Sequence, residues 1–200
     1  MSRMPAYTVI GSVRTRAMRV VWMLEETGLP FTHVAAMPRS AEVLEHNPQG
    51  KVPVLIADGI ALTDSTAILT FLADRHARLT YPAGSVERAR QDSLTQFLLD
   101  EFDASLWTAS RHSQLLPQER RVPAIKDTLK WEFARSLQAL AARMSDGPFL
   151  MGDAMTLPDI IATHCFQWAR IAKFPAAEGR LADYSVRMQS RDAFVRTMAR

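Results

Sequence analysis

A junction between a strand-like and a helix-like segment near the start of the chain carries side chains that could bind an anion. The stretch "VIGSVRTRAMRVVWMLEETG" places two hydroxyls and three arginines close together: Ser12, Arg14, Thr15, Arg16 and Arg19. Arginine at a helix start is unfavourable, because the helix amino terminus already carries partial positive charge. Solvation at the surface is the ordinary explanation for any single arginine, but the cluster beside two hydroxyls indicates an anion site.

A second segment, "TDSTAIL", places Asp64 and Ser65 at a predicted helix start. Both residue types are common helix caps, and capping alone can explain them. The amino terminus of a helix also offers unpaired N–H groups and partial positive charge. Ser65 could therefore bind a carboxylate while Asp64 binds an ammonium group, which together fit an amino-acid head.

A third segment, "KVPVL", has a proline at the entry to a predicted strand. Proline has no N–H for the sheet ladder, so a strand start or edge is its ordinary position. The alternative is a cis Val52–Pro53 bond that leaves the backbone N–H and C=O of Val52 available to a peptide-like ligand. Because only about 5% of X-Pro bonds in folded proteins are cis, the segment alone does not decide between them.

The elements that position these segments alternate between strand and helix periods over residues 1–78. The strands "YTVIG" and "FTHVAA" flank an amphipathic helix that ends at Gly28, which predicts a parallel βαβ unit. A short helix is expected at residues 40–45. Asp58-Gly59 between two apolar runs predicts an antiparallel hairpin, and "STAILTFLADRH" closes the unit as a helix. The predicted order is βαβαββα.

The second half of the chain has a different pattern. "LTYPAGS" interrupts the periodicity with Pro, Gly and Ser, which predicts a linker at residues 79–85. Helical periodicity without a convincing strand follows over residues 86–200. The sequence thus predicts an α/β domain at 1–78 and an all-helical domain at 86–200.

Composition narrows the function classes. The net charge of +3 is spread along the chain without a long basic block, so a nucleic-acid partner is not expected. The chain lacks an apolar run of about 18 residues, and "MSRMPAYTV" lacks a signal-peptide core, so we expect a cytoplasmic protein without a membrane partner. The single cysteine, Cys165, excludes an internal disulfide and a CxxC pair. The five histidines lack metal-ligand spacing, so no metal site is expected.

The order of "NPQGKVPVL", "TDSTAIL", the "YP" linker and "FLMGDAMTLPDIIA" resembles the cytosolic glutathione S-transferases over nearly the whole chain. The loop "GSVRTR" is similar to that of bacterial members with an arginine-rich loop. Thr156 and Asp159 match the family's S/T-x-x-D capping box. The resemblance implies a thioredoxin-like first domain, a helical second domain, a homodimer, glutathione as co-substrate and no prosthetic group.

The resemblance also implies which residues bind glutathione. The backbone of Val52 pairs with the cysteinyl part, with Pro53 cis. Asp64 and Ser65 hold the γ-glutamyl end, and two basic side chains lie near the glycine carboxylate. The implied glutathione-binding residues are Arg39, Lys51, Val52, Pro53, Asp64 and Ser65.

The catalytic loop departs from the family pattern. Many relatives use a serine, cysteine or tyrosine to hydrogen-bond the sulfur, and Arg14 fills the serine position here. We expect Thr15 and Arg16 to carry most of the thiolate stabilisation, because Thr15 can both cap the helix and donate. Ser12 and Arg14 rank next.

The electrophile is expected against the first long helix of the second half, near Phe102, Trp107 and His112. Trp131, Trp168, His164 and Cys165 are interpreted as core residues. The leading function is conjugation of glutathione to small, partly apolar electrophiles, as in detoxification. Glutathione-dependent isomerisation, peroxide reduction and non-catalytic ligand carriage are the alternatives. The isomerase relatives carry a serine- and cysteine-rich loop that "GSVRTR" lacks.

Overall fold

The computed structural model describes residues 7–200 of the chain. Its contacts divide the chain into two compact units. The first unit contains the residues up to Arg78 together with Gln189–Arg200, and the second contains Leu79–Met188.

The first unit follows the predicted order of strands and helices. The elements are β1 Tyr7–Ile10, α1 Ala17–Thr27, β2 Phe31–Val34, α2 Ala41–Leu44, β3 Val54–Ala57, β4 Ile60–Thr63 and α3 Ser65–His76. The sheet has the strand order β2-β1-β3-β4. β1 pairs in parallel with β2, while β3 is antiparallel to both β1 and β4. The βαβ unit, the hairpin and the thioredoxin-like class predicted from the sequence are confirmed.

Local sequence signals account for the helix ends of this unit. α1 ends at Gly28, which has a φ of 67° and donates its N–H to the carbonyl of Leu24. Glycine adopts this left-handed conformation without steric cost. α3 starts at Asp64, whose carboxylate accepts hydrogen bonds from the N–H groups of Thr66 and Ala67. Both signals were readable in the sequence.

The last helix of the chain, α9 (Asp192–Met198), packs on α1. The rings of Trp22 and Phe194 lie 5.0 Å apart in an edge-to-face arrangement, and Arg191 forms an ion pair with Glu26. Residues 189–200 therefore group with the first unit. The sequence had assigned them to the helical domain, because periodicity identifies a helix without identifying the surface it covers.

The second unit is helical. Its helices are α4 Val86–Leu98, α5 Ala104–Ser110, α6 Ile125–Arg143, α7 Leu157–Ala172 and α8 Gly179–Gln189, with π-helical turns at Leu99–Asp103 and Arg111–Leu115 and a 3₁₀ turn at Gln118–Arg120. α4 begins directly after the predicted linker. Within residues 79–188 the only β pairing is an isolated bridge between Phe149 and Gly152. None of the helices over residues 7–200 has the length and apolar character needed to span a bilayer.

Candidate functional site

The register of the sheet brings the three polar segments to one edge of the first unit. Ile10, at the end of β1, pairs with Val54 at the start of β3, and Val54 pairs with Thr63 at the end of β4. The loop after Ile10, the segment before Val54 and the turn after Thr63 therefore leave the sheet side by side. The arginine-rich loop, "KVP" and "TDS" meet here although the sequence separates them.

Gly11 allows this close approach. Its φ is 140°, and a Cβ added there would lie 2.8 Å from the Cβ of Ala17 and 3.0 Å from the Cβ of Val52. A side chain at this position would collide with both the first helix and the segment before β3. Glycine is required because its backbone conformation and the lack of space both exclude a Cβ.

The loop after Gly11 is fixed by backbone bonds to the end of β2. The N–H of Gly11 donates to the carbonyl of Val34 (2.9 Å), and the N–H of Ser12 donates to the carbonyl of Ala36 (2.8 Å). These two bonds fix the position of the Ser12 backbone relative to the sheet.

The hydroxyl of Thr15 is engaged inside the loop itself. It donates to the carbonyl of Ser12 at 2.7 Å and accepts from the N–H of Ala17 at 3.2 Å. The acceptor bond satisfies a first-turn N–H of α1, as a cap does. The donor bond uses the only hydrogen of the hydroxyl. A hydrogen bond from Thr15 to a ligand would require breaking the bond to Ser12, which disfavours Thr15 as the first donor.

The Ser12 hydroxyl is differently disposed. It accepts from the N–H of Arg14 at 3.2 Å, and among residues 7–200 its own hydrogen has no acceptor. Arg14 is exposed and Arg16, at the N-cap position of α1, is half-buried. Ser12 therefore has a donor available next to two arginines at the positive end of the helix.

The Val52–Pro53 bond is cis, as the sharper interpretation of "KVPVL" predicted. Val52 is half-buried and Pro53 is buried. Neither the N–H nor the carbonyl of Val52 bonds to another backbone group within residues 7–200. Both groups are available for an extended peptide-like ligand.

Asp64 adopts an unusual backbone conformation, with φ 69° and ψ 122°. Such conformations in non-glycine residues cost about 1–3 kcal/mol and cluster at functional sites. The Oδ1 atom accepts from Thr66 N (2.9 Å) and Ala67 N (3.0 Å). Within the described residues Oδ2 has no hydrogen-bond partner, so one carboxylate oxygen caps the helix while the other can accept from an ammonium group.

Ser65 opens α3 and is only 3% exposed. Its hydroxyl accepts a hydrogen bond from Nη1 of Arg19 at 3.3 Å. Arg19 is fully buried, at 0% exposure. Arg19 belongs to the loop cluster identified from the sequence, but its contact with Ser65 was not predicted, since a helical arginine gives no sequence signal of pointing inward.

Arg39 and Lys51 lie on segments that are bonded to each other. The N–H of Arg39 donates to the carbonyl of Gly50 at 2.9 Å, and the carbonyl of Lys51 accepts from Asn47 Nδ2 at 2.9 Å. Both cationic side chains are exposed. Lys51 directly precedes Val52, and Arg39 is bonded to Gly50 in the same segment.

The residues predicted for the electrophile lie in the second unit. Phe102 is fully buried, and its ring packs edge-to-face on Phe133 (4.9 Å) and Phe97 (5.9 Å). Phe102 is therefore a core residue, which corrects the prediction that it lines a substrate pocket. Trp107 and His112 are half-buried, and Nδ1 of His112 accepts from the N–H of Val122 at 3.1 Å.

Two further interpretations of the second half can be compared with the structure. His164 and Cys165 are buried, as expected. Trp131 was expected in the core but is 60% exposed, with the Arg135 guanidinium 4.8 Å from its ring centre. An indole on an exposed helix face is stabilised by such a cation contact, and periodicity alone did not distinguish this face from the buried one.

One ligand atom each from Asp103, His164 and Cys165 lies within 4.8 Å of the others, and all three residues are buried. The spacing of the histidines did not reveal this group, because Asp103 belongs to a different helix from the other two. Each of the three residues also makes other interactions.

The capping box of α7 is built as predicted, from Thr156 and Asp159. Oδ2 of Asp159 accepts from Thr156 N at 2.8 Å, and Oδ1 accepts from Leu150 N at 2.9 Å and from the Tyr184 hydroxyl at 2.8 Å. Burial raises the pKa of the Asp159 carboxyl, although these hydrogen bonds oppose the shift. The same burial, together with the Asp159 charge, raises the pKa of Tyr184.

The fold consists of a thioredoxin-like unit joined to a helical unit, and comparisons with known proteins identify the family. A model of the glutathione S-transferase N-terminal domain matches residues 15–75, and a model of the C-terminal domain matches residues 111–191. Together the two models cover more than half of the chain. The chain belongs to the glutathione S-transferase family.

Three similar proteins illustrate the relationship. Glutathione S-transferase GstA of Escherichia coli O157:H7 is 26% identical over 159 residues, which are 75% of this chain and 76% of that protein. Maleylacetoacetate isomerase of Rhizobium meliloti is 41% identical over 68 residues, which are 34% of this chain and 32% of that protein. The crystal structure of a glutathione transferase from Methylococcus capsulatus superimposes with a TM-score of 0.82 at 25% identity, covering 96% of this chain and 97% of that one.

Proposed function

We propose that this protein is a glutathione transferase that ionises the glutathione thiol and conjugates it to small, partly apolar electrophiles. The observation that carries the proposal is the register of the sheet, which places the loop at Ser12, the Val52 backbone and the start of α3 at one edge. A tripeptide needs separate partners for its two ends and its backbone, and this edge offers all three kinds.

The binding mode follows from the groups available at the edge. The Val52 N–H and carbonyl pair with the cysteinyl backbone of glutathione. The Ser65 hydroxyl binds the γ-glutamyl carboxylate at the positive end of α3, and Oδ2 of Asp64 accepts from the γ-glutamyl ammonium. Arg39 and Lys51 provide positive charge for the glycine carboxylate.

The thiolate is stabilised from the loop before α1. A model thiol has a pKa of about 8.5, and lowering it by about two units requires roughly 2.7 kcal/mol. A hydrogen bond to a charged group contributes about 1.5–3 kcal/mol, and a helix amino terminus adds roughly 0.3–1 kcal/mol. We assign the hydrogen bond to Ser12, because the Thr15 hydrogen is used within the loop, and assign electrostatic support to Arg14 and Arg16.

The chemical step is nucleophilic attack of the bound thiolate on the electrophile. Binding brings the two reactants together, and thiolate formation supplies the nucleophile at neutral pH. No prosthetic group or metal ion is part of the proposal.

Affinity for glutathione followed by a conjugation assay tests the proposal. The protein should be retained on immobilised glutathione and, after elution, should conjugate glutathione to a chlorinated aromatic acceptor. Retention without turnover would support a ligand carrier instead. Failure to bind would exclude every glutathione-dependent function.

Isomerisation is a second candidate, favoured by the 41% identity to a maleylacetoacetate isomerase over a third of the chain. A cis-to-trans isomerase uses glutathione without consuming it. Product analysis with maleylacetone separates the two: isomerisation changes the acceptor with no loss of thiol, whereas conjugation consumes thiol stoichiometrically.

A homodimer is proposed from the family and is tested by light scattering at several protein concentrations.

A further inference from the structure

We propose that Arg19 is a positioning residue that fixes the direction of the Ser65 hydroxyl, so that its hydrogen points to the γ-glutamyl carboxylate of glutathione. The inference rests on the proposed function and adds a residue that does not itself touch the ligand. It begins from the contact between Nη1 of Arg19 and Oγ of Ser65, at 3.3 Å.

The burial of Arg19 makes this contact unusual. The residue lies on the third position of α1 and is 0% exposed. A guanidinium removed from water is costly unless hydrogen-bonded acceptors surround it. Arg19 makes interactions besides the one with Ser65, and the Ser65 contact is the one that connects its charge to the start of α3.

The chemistry of the two groups sets the direction of the bond. Arginine has N–H donors and no acceptor, whereas a serine hydroxyl can both donate and accept. Ser65 must therefore accept from Arg19, and its own hydrogen is directed elsewhere. Within residues 7–200 no acceptor for that hydrogen is present.

We assign the γ-glutamyl carboxylate of glutathione as the acceptor for the Ser65 hydrogen. The Ser65 hydroxyl lies at the first position of α3, where the partial positive charge of the helix end also favours an anion. Hydrogen bonds in a chain polarise one another, so a positive group behind Ser65 strengthens its bond to a carboxylate. Because Arg19 is buried, this effect is screened little by solvent.

Arg19 should therefore affect the recognition of only one end of glutathione. Loss of Arg19 should weaken recognition of the γ-glutamyl carboxylate and leave the cysteinyl and glycine ends bound as before. A purely structural role predicts instead that affinity for all ligands of the site falls by a common factor.

The experiment measures dissociation constants for glutathione and for γ-aminobutyryl-cysteinyl-glycine, the analogue that lacks this carboxylate. The readout is the ratio of the two constants in the full-length protein. Arg19→Gln removes the charge, and Arg19→Lys keeps the charge but loses the planar fork. We expect the preference for glutathione to fall about tenfold in Arg19→Gln and by a smaller factor in Arg19→Lys.

Arg78→Gln is the matched control. Arg78 belongs to the same unit and donates to the carbonyl of Thr27 at the other end of α1, so the ratio should equal that of the wild type. If either Arg19 variant is recovered folded with the wild-type ratio, the inference is overturned. If the wild-type protein itself does not bind glutathione, the proposed function fails first, and the two failures are distinct.

Discussion

The hydroxyl of Thr15 donates to the carbonyl of Ser12 across 2.7 Å, so the two hydroxyl residues of the loop have different roles. Thr15 shapes the loop and caps the first turn of α1. The Ser12 hydroxyl hydrogen has no acceptor within residues 7–200, which is why we assign the glutathione sulfur to it. Our assignment of the thiolate to Ser12 therefore rests on the direction of these hydrogen bonds, because both residues carry a hydroxyl.

The first prediction separates these roles. Ser12→Ala should raise the pKa of bound glutathione by roughly 1–2 units, because a hydrogen bond to a charged sulfur is lost. Thr15→Val should leave that pKa nearly unchanged and lower the free energy of unfolding by about 1 kcal/mol. Titration of thiolate absorbance and denaturant unfolding measure the two effects. A larger pKa change in Thr15→Val would restore Thr15 as the principal donor.

A second prediction concerns the glycine that lets the loop approach β3. Gly11→Ala should destabilise the protein by about 2 kcal/mol or more, because its Cβ would press on Ala17 and Val52. Affinity for glutathione should fall as well, since the Val52 backbone must move. Gly28→Ala is the control, because its φ is also positive but no atom lies within 4 Å of the added Cβ. This variant should lower the free energy of unfolding by about 1 kcal/mol without changing the affinity for glutathione. Equal effects of the two changes on affinity would refute the steric argument.

A third prediction tests the buried box at the start of α7. Asp159→Ala leaves the donors from Thr156, Leu150 and Tyr184 without their acceptor. The free energy of unfolding should fall by about 3–5 kcal/mol. Tyr184→Phe removes one of these donors and should cost only about 1 kcal/mol. Denaturation midpoints of the two variants measure the difference. Similar midpoints would show that Asp159 does not organise this region.

A fourth prediction concerns acid stability. Burial alone would raise the pKa of Glu25, but hydrogen bonds from Arg196 and Arg200 outweigh it and lower the pKa below its ordinary value of 4.5. As pH falls, the unfolded chain takes up this proton before the folded one does. The stabilisation by Glu25 is therefore complete above about pH 4.5 and is lost as pH falls through the lowered pKa.

Glu25→Gln removes this titration while keeping the side-chain shape. The variant should melt at a lower temperature than the wild type at neutral pH, and the gap should shrink under acid conditions below the ordinary pKa. Melting curves over a pH series measure it. A gap that stays constant with pH would mean that another group dominates acid unfolding.

Much of the first unit could be predicted from local sequence. The dipeptide Asp58-Gly59 determines its own hairpin, and the predicted helix "STAILTFLADRH" is α3 itself. These signals work because turn and cap preferences depend on neighbouring residues. The meeting of the three site segments depends on strand order and register, and only the family resemblance led us to expect it.

Features that depend on tertiary contacts were not predictable in this way. The inward orientation of Arg19, the exposure of Trp131 and the return of α9 to α1 depend on which surface a helix face meets. The engagement of the Thr15 hydroxyl depends on an ångström-scale loop geometry. Helical periodicity alone does not show which of these side chains are buried or which element each one contacts.

The most direct test of the account is a pH titration of the thiolate absorbance of glutathione bound to the wild-type protein. The account predicts saturable binding and a bound thiol pKa about 1–2 units below the value of about 8.5 for a model thiol. A titration midpoint equal to that of unbound glutathione, or no saturable change on adding the protein, would contradict it.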